Sequence, residues 1–326
     1  MANCTVTWSR FNGDIPDSLL HFFIIYCSAV CLVGTLCNVL ALWCVVGCSR
    51  TPPAVKILLC ALFSSTLLMC LLVMPFMAHV GVSKVRCDGQ VPKMAIRVVV
   101  TMYIILTEME LLHISLMALL RAVAVWSSTK REMKMPTAVA LLVGIVIYST
   151  VMTLLLLAAF WYDIVSGYTG FVLSQIYNSV NFLAPVVFTM ACYFSMILAI
   201  RRNQHRLATT PETAATGQVM DQATRAMLAV FISNLLLGLP HSIYHLLPRY
   251  DNQALSYVTM HIVFFTHLFV DPLVFVCFNL HHRQRVLQAL KSCLQCVPCR
   301  PLSTLPHATS TLPLHFTSSS SSSSKE

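Results

Sequence analysis

The residues of this chain predict an all-α membrane protein: a seven-transmembrane helix bundle with a short amphipathic eighth helix. Three observations lead there. Seven apolar runs, each long enough at about 20 residues or more to cross a hydrocarbon core of about 30 Å, alternate with short polar segments. Only 10% of the 326 residues are charged while 57% are hydrophobic, whereas a soluble domain carries about a quarter charged residues. Mean hydropathy is +0.75.

The spans are expected near Leu19–Val46, Ala54–Val80, Pro92–Trp126, Pro136–Tyr162, Phe171–Ile200, Ala223–Leu247 and Leu255–Asn279. Residues 1–18 form an amino-terminal segment, 19–279 the bundle, 280–296 the amphipathic helix and 297–326 a tail. The uncharged start Met1–Ser9 lacks the basic residues of a removable signal peptide, so the first span is expected to act as an uncleaved insertion signal. Pro52-Pro53 and Pro136 open the second and fourth spans, and Pro185, Pro240 and Pro272 interrupt the fifth, sixth and seventh. The third span carries Glu108 and Glu110, and the seventh carries Asp271, where a mid-membrane charge costs about 2.5–3.5 kcal/mol, so Asp271 marks function.

Lysine and arginine placement sets the orientation, because cytoplasmic loops retain positive charge. With the amino terminus outside, Arg50, Lys56, Arg121, Lys130, Arg131, Lys134, Arg201, Arg202, Arg206, Arg225, Arg283, Arg285, Lys291, Arg300 and Lys325 lie inside. The net charge of +9 then answers to anionic inner-leaflet lipid, and no nucleic-acid partner is expected. Asn3-Cys4-Thr5 is a glycosylation sequon on the outer end. Of the 14 cysteines most lie within spans; Cys4 and Cys87 fall in outer segments and are candidates for a bridge or for two free thiols.

Several motifs together resemble the rhodopsin-like (class A) G-protein-coupled receptors over all seven spans. Gly34-Thr35-Leu36-Cys37-Asn38-Val39 is similar to that family's first-helix asparagine signature, and Leu120-Arg121-Ala122 stands where Asp-Arg-Tyr is usual. Pro185 and Tyr193 keep the family's fifth-helix spacing; Leu237-Gly238-Leu239-Pro240 replaces Cys-Trp-x-Pro, and Asp271-Pro272-Leu273-Val274-Phe275 replaces Asn-Pro-x-x-Tyr. The resemblance implies a receptor in the plasma membrane that couples a ligand to a heterotrimeric G protein, with arrestin as a second partner. It places the activation switch on Arg121, Tyr193, Pro240, Asp271, Pro272 and Phe275. The departures matter, because Arg121 lacks its neighbouring acid and Gly238 removes the tryptophan lever. A weakly latched receptor with high basal signalling, or a non-signalling binding protein, is the expectation.

The resemblance also implies a mid-membrane sodium site centred on a second-helix aspartate, but that position is Thr66. Glu110 faces the same cavity from the third helix. Eleven residues separate Glu110 from Arg121, about three turns, so Tyr103, Thr107, Glu110, Ile114, Met117 and Arg121 form one inward stripe. His267 and Asp271 share a face at i,i+4. A polar cluster of Asn38, Thr66, Glu110, His267 and Asp271 is expected. Sodium binding, proton sharing between its carboxylates and imidazole, and a purely structural hydrogen-bond network remain as readings of it. Glu108 points to another helix pair, with His113 at i+5 as an imperfect partner and no role assigned.

Tyr103 stands where amine receptors of the family carry an aspartate, so a cationic amine ligand is not expected. Tyr103, Thr107, His241, Tyr244, His245 and His261 are ligand-pocket candidates, and the outer basic residues Lys84, Arg86, Lys93 and Arg97 favour an anionic or neutral, lipid-like ligand. No metal is assigned to the histidines, for want of a sequence-local ligand set. Cys293, Cys296 and Cys299 follow the amphipathic helix as palmitoylation candidates. The Ser/Thr/Pro-rich tail reads as disordered. No enzyme constellation is present: no phosphate-binding glycine loop, nucleophile motif or zinc-helix pair.

Overall fold

A computed structural model describes residues 15–49, 51–86, 91–126, 133–207, 214–247 and 254–295, with side chains for all of these except 200–224 and 293–295. Asn3, Cys4, Cys87, Cys296 and Cys299 lie outside the described residues, as does the Cys293 side chain.

Helices α1 (Asp17–Val46), α2 (Pro53–Arg86), α3 (Lys93–Trp126) and α4 (Met135–Trp161) come first. Helix α5 starts as Gly167–Asn178 and continues as Ala184–Leu207; α6 is Ala214–Leu246. Helix α7 joins Ala254–Phe265 to His267–Phe278 through Thr266, and α8 is Leu280–Gln295. Six of them, all but α3 and α8, are long and apolar enough to cross a membrane, and α3 has 34 residues. The chain is a multi-pass membrane protein built as a seven-helix bundle.

Proline shapes these helices in two ways. Pro53 and Pro136 stand in the first turns of α2 and α4, where no helical N–H bond is lost. Pro75 and Pro185 lie inside, and each deprives the carbonyl four residues earlier, Leu71 and Asn181, of its donor. A π turn is centred on each of those residues, Met69–Val73 and Ser179–Leu183, and the wider turn absorbs the defect.

Helix α1 packs on α2 and α7, α6 on α7, and α3 on α5. Gly34 permits the α1–α2 approach: a Cβ there would lie 2.5 Å from Cys70 Sγ. Two apolar clusters result. One, toward the ends of α1 and α3 at Val46 and Trp126, centres on Leu58, Met117, Met196 and Phe275; the other, toward the opposite ends, centres on Phe23, Met74 and Phe265. Large apolar side chains such as Leu155 and Ile147 on α4 remain exposed, as a lipid-facing surface requires.

Asn279 ends α7 in extended backbone and starts α8: its Oδ1 accepts the His281 and His282 N–H groups at 3.1 and 3.4 Å. His282 is buried with its ring 5.2 Å from Phe275, and Arg285 lies 4.3 Å over Trp43 of α1. Burial, with help from His281 and Arg285, pushes the His282 imidazole down from 6.5 to about 4. The docked ring is therefore neutral, and protonation favours release. Docking of the first turns of α8 is expected to weaken as pH falls from 6.5 toward 4. Hydrogen exchange of the 283–287 amides should accelerate over that interval and lose its pH dependence in His282→Gln.

Candidate functional site at the centre of the bundle

Between the two apolar clusters three helices meet through buried polar side chains. His267 Nε2 of α7 lies 3.1 Å from Glu110 Oε2 of α3, and both residues are buried. The other ring nitrogen, Nδ1, bonds the Phe264 carbonyl. Both nitrogens thus face oxygen acceptors, so a proton must sit between His267 and Glu110 on one side or the other. From α6, Asn234 Nδ2 donates to Glu110 Oε1 and to Asp271 Oδ2, each at 3.4 Å, and Ser233 donates a short bond to Asp271 Oδ1. Two acids and one imidazole on α3 and α7 are therefore bridged by two neutral donors on α6.

Thr66, Glu110 and Asp271 also line one narrow crevice with no room for a water molecule, bounded by Leu62, Phe63, Ile114, Val230 and Pro272. Asn38 is held beside it by a different demand. Pro272 lacks an N–H, which frees the Leu268 carbonyl four residues earlier. Asn38 Nδ2 supplies the missing donor at 2.8 Å, also reaching the Gly34 carbonyl at 2.8 Å, while Thr66 donates to Asn38 Oδ1 at 2.5 Å. The five residues expected in one cluster thus form two neighbouring groups, a charged one and the neutral Asn38–Thr66 pair.

Glu108 makes a second buried acidic site, facing α4 and α5. Tyr177 and Thr153 donate to its Oε2 at 2.7 and 3.3 Å, and Oε1 has no partner. The expected pairing with His113 does not form: His113 Nδ1 bonds the Met109 carbonyl at 2.6 Å and its Nε2 is unpartnered. A spacing of i+5 turns the two side chains too far apart around the helix.

Toward the end where α6 leads into α7, His241 and His245 of α6 meet His261 of α7. His241 Nε2 lies 3.1 Å from His245 Nε2, 3.3 Å from His261 Nε2 and 3.1 Å from the Tyr103 hydroxyl. Tyr244 is beside them, its ring 5.5 Å from His245. Thr107 contributes no hydroxyl here, because it bonds the Tyr103 carbonyl of its own helix at 2.8 Å. Arg97 lies 5.5 Å over the Trp161 ring. Phe264 stacks on His241 at 4.2 Å and packs on His267 at 4.4 Å, which joins the histidine set to the central pair. A Cβ at Gly238 would lie in ordinary contact with Asn234 Oδ1 at 3.5 Å and the Phe264 ring at 4.0 Å.

At the opposite end Arg121 is half-buried, with no acid at ion-pair distance among the described residues. Tyr193 is buried with its hydroxyl unpartnered and its ring stacked on Phe231 at 4.9 Å. Phe275 packs on Phe63 at 4.9 Å, and Pro240 and Pro272 lie within α6 and α7.

The sequence comparisons find nothing: no family model matches the chain, and no curated protein does. Structure does find a likeness. The crystal structure of squid rhodopsin superposes with a TM-score of 0.74 at 12% identity, covering 88% of this chain and 90% of that one. The chain has a rhodopsin-like seven-helix fold.

Ser233, Asn234, Tyr177 and Thr153 were not singled out from sequence. A signal existed for the first two, since Ser233-Asn234 is a polar pair inside the apolar run Ala229–Leu239. His267→Ala strands a buried carboxylate and should destabilise the purified protein by about 3–5 kcal/mol. Adding Glu110→Gln removes that charge, so the double variant should unfold above His267→Ala in a thermal melt; equal or additive losses would dissolve the pair.

Proposed function

We propose that this protein is a receptor of the rhodopsin-like class. It lies in the plasma membrane with its amino terminus outside and passes an extracellular signal to a heterotrimeric G protein. The observation that carries this reading is the α3–α6–α7 network of Glu110, His267, Asn234, Ser233 and Asp271. Helix α6 is tied at mid-membrane to both neighbours, and through neutral donors only. Hydrogen bonds between membrane helices average about 0.6 kcal/mol, so the tie is breakable by a ligand's differential binding.

The path runs inward. A ligand among Tyr103, His241, His245 and His261 displaces Phe264, whose ring rests on both His241 and His267. A shift of His267 moves the proton it shares with Glu110, weakens the grip on Asn234 and lets α6 tilt. Arg121, with no acid at ion-pair distance among the described residues, and Tyr193 then meet the transducer. This replaces the missing acid beside Arg121 with a latch one membrane leaflet away. A proton, rather than sodium, is the proposed cation of the centre, because His267 already faces Glu110 and the remaining crevice is narrow. A neutral or anionic ligand fits an outer cluster that holds imidazoles and phenols and no carboxylate among its described members.

The second reading, a binding protein that has lost the switch, is favoured by Gly238 and by the Leu120-Arg121-Ala122 triplet. Nucleotide exchange on purified heterotrimers by the reconstituted protein separates the two. Asn234→Leu should raise ligand-free exchange above wild type, Arg121→Ala should abolish it, and replacing sodium by N-methylglucamine should leave it unchanged. Exchange equal to protein-free vesicles for wild type and Asn234→Leu, across all G-protein classes, would establish the second reading.

A further inference from the structure

The histidines at the outer end of α6 and α7 are arranged as ligands of a metal ion. His241 and His245 stand one turn apart on α6, a spacing that puts both imidazoles on one face. His261 comes from the facing turn of α7. One candidate ligand atom from each lies within 4.8 Å of the others. Two of the three Nε2 separations, 3.1 and 3.3 Å, are close to the edge of a tetrahedron whose Zn–N bonds are about 2.0–2.1 Å, which is about 3.3 Å. The rings radiate rather than stack: His241 and His261 are inclined by 86°, His245 and His261 by 88°, and His241 and His245 by 67°.

The surrounding shell prepares these rings for a cation. His261 Nδ1 bonds the Tyr257 carbonyl at 2.8 Å, which places its hydrogen there and leaves Nε2 with a lone pair turned to the cluster. Phe264 and Tyr257 clamp His241 and His261 at ring distances of 4.2 and 4.0 Å. His241 and His261 are buried, whereas His245 is half-buried and one residue from the end of α6, so an ion has a route from outside and one ligand that can adjust. Three neutral nitrogens also leave a fourth position, toward the Tyr103 hydroxyl 3.1 Å from His241 Nε2.

We propose that His241, His245 and His261 form a binding site for a divalent first-row metal, Zn²⁺ by geometry, with its fourth position open toward Tyr103. The site clips the outer ends of α6 and α7 together. It needs no signalling to exist, so its test is independent of the receptor reading.

The untagged full-length protein in nanodiscs, stripped with a chelator, is titrated with Co²⁺ and then with Zn²⁺. One equivalent of Co²⁺ should give the intense visible bands of a four-coordinate ion, bleached by one equivalent of Zn²⁺. His245→Ala and His261→Ala should each weaken Zn²⁺ binding by about 100-fold or more, and His79→Gln, an exposed histidine on α2, should not. Should His261→Ala fail to fold, His245→Ala and the blue shift or loss of the Co²⁺ bands in Tyr103→Phe decide the matter. Weak six-coordinate bands in wild type, binding unaltered by His245→Ala, or binding lost in His79→Gln would each overturn the site.

Discussion

A histidine and two carboxylic acids buried at the waist of a membrane bundle constrain everything around them. Charge there is costly unless it is paired and hydrogen-bonded. The His267–Glu110 contact satisfies that demand across α3 and α7, and the Ser233 and Asn234 donors extend it to α6. Once those side chains must meet, the rotation of three helices about their own axes is fixed, and with it the inward stripe from Tyr103 to Arg121. The apolar clusters above and below then fill the space that this registration leaves.

The same constraint explains how Arg121 can do without a neighbouring acid in the chain. A bundle with its polar tie near Arg121 depends on an acid beside that residue. Here the tie is central, so Leu120 and Ala122 leave Arg121 half-buried without undoing α3, α6 and α7. Phe264 completes the arrangement from above, resting on His241 on one side and His267 on the other.

The fold was legible because its signal is additive. Seven long apolar runs and the order of the prolines needed no knowledge of contacts, and all seven became helices, with an eighth after Asn279. Pairings were harder. Glu110, His267 and Asp271 could be read from helical spacing, since i,i+4 and eleven-residue intervals fix a face. Their α6 partners could not, because the rotation of one helix against another is set by packing, and Ser and Asn in an apolar run are ordinary. Asn38 is a case in between: it was legible as polar and inward, while its job, satisfying the carbonyl freed by Pro272, emerges only once α1 lies against α7. His113 was only an imperfect candidate partner for Glu108 at i+5, and the helix turns it away. The histidine trio needed two helices to be brought together before its spacing had meaning.

The most direct measurement of the central claim is a distance between the ends of α3 and α6 nearest Arg121, taken by pulsed electron spin resonance with labels at Val123 and Arg225, both exposed. In wild type at neutral pH the distribution should be narrow. Glu110→Gln with Asn234→Leu, which removes the tie without stranding a charge, should broaden it and add a longer distance. Identical narrow distributions in the two proteins would show that the buried pair does not hold α6 in place.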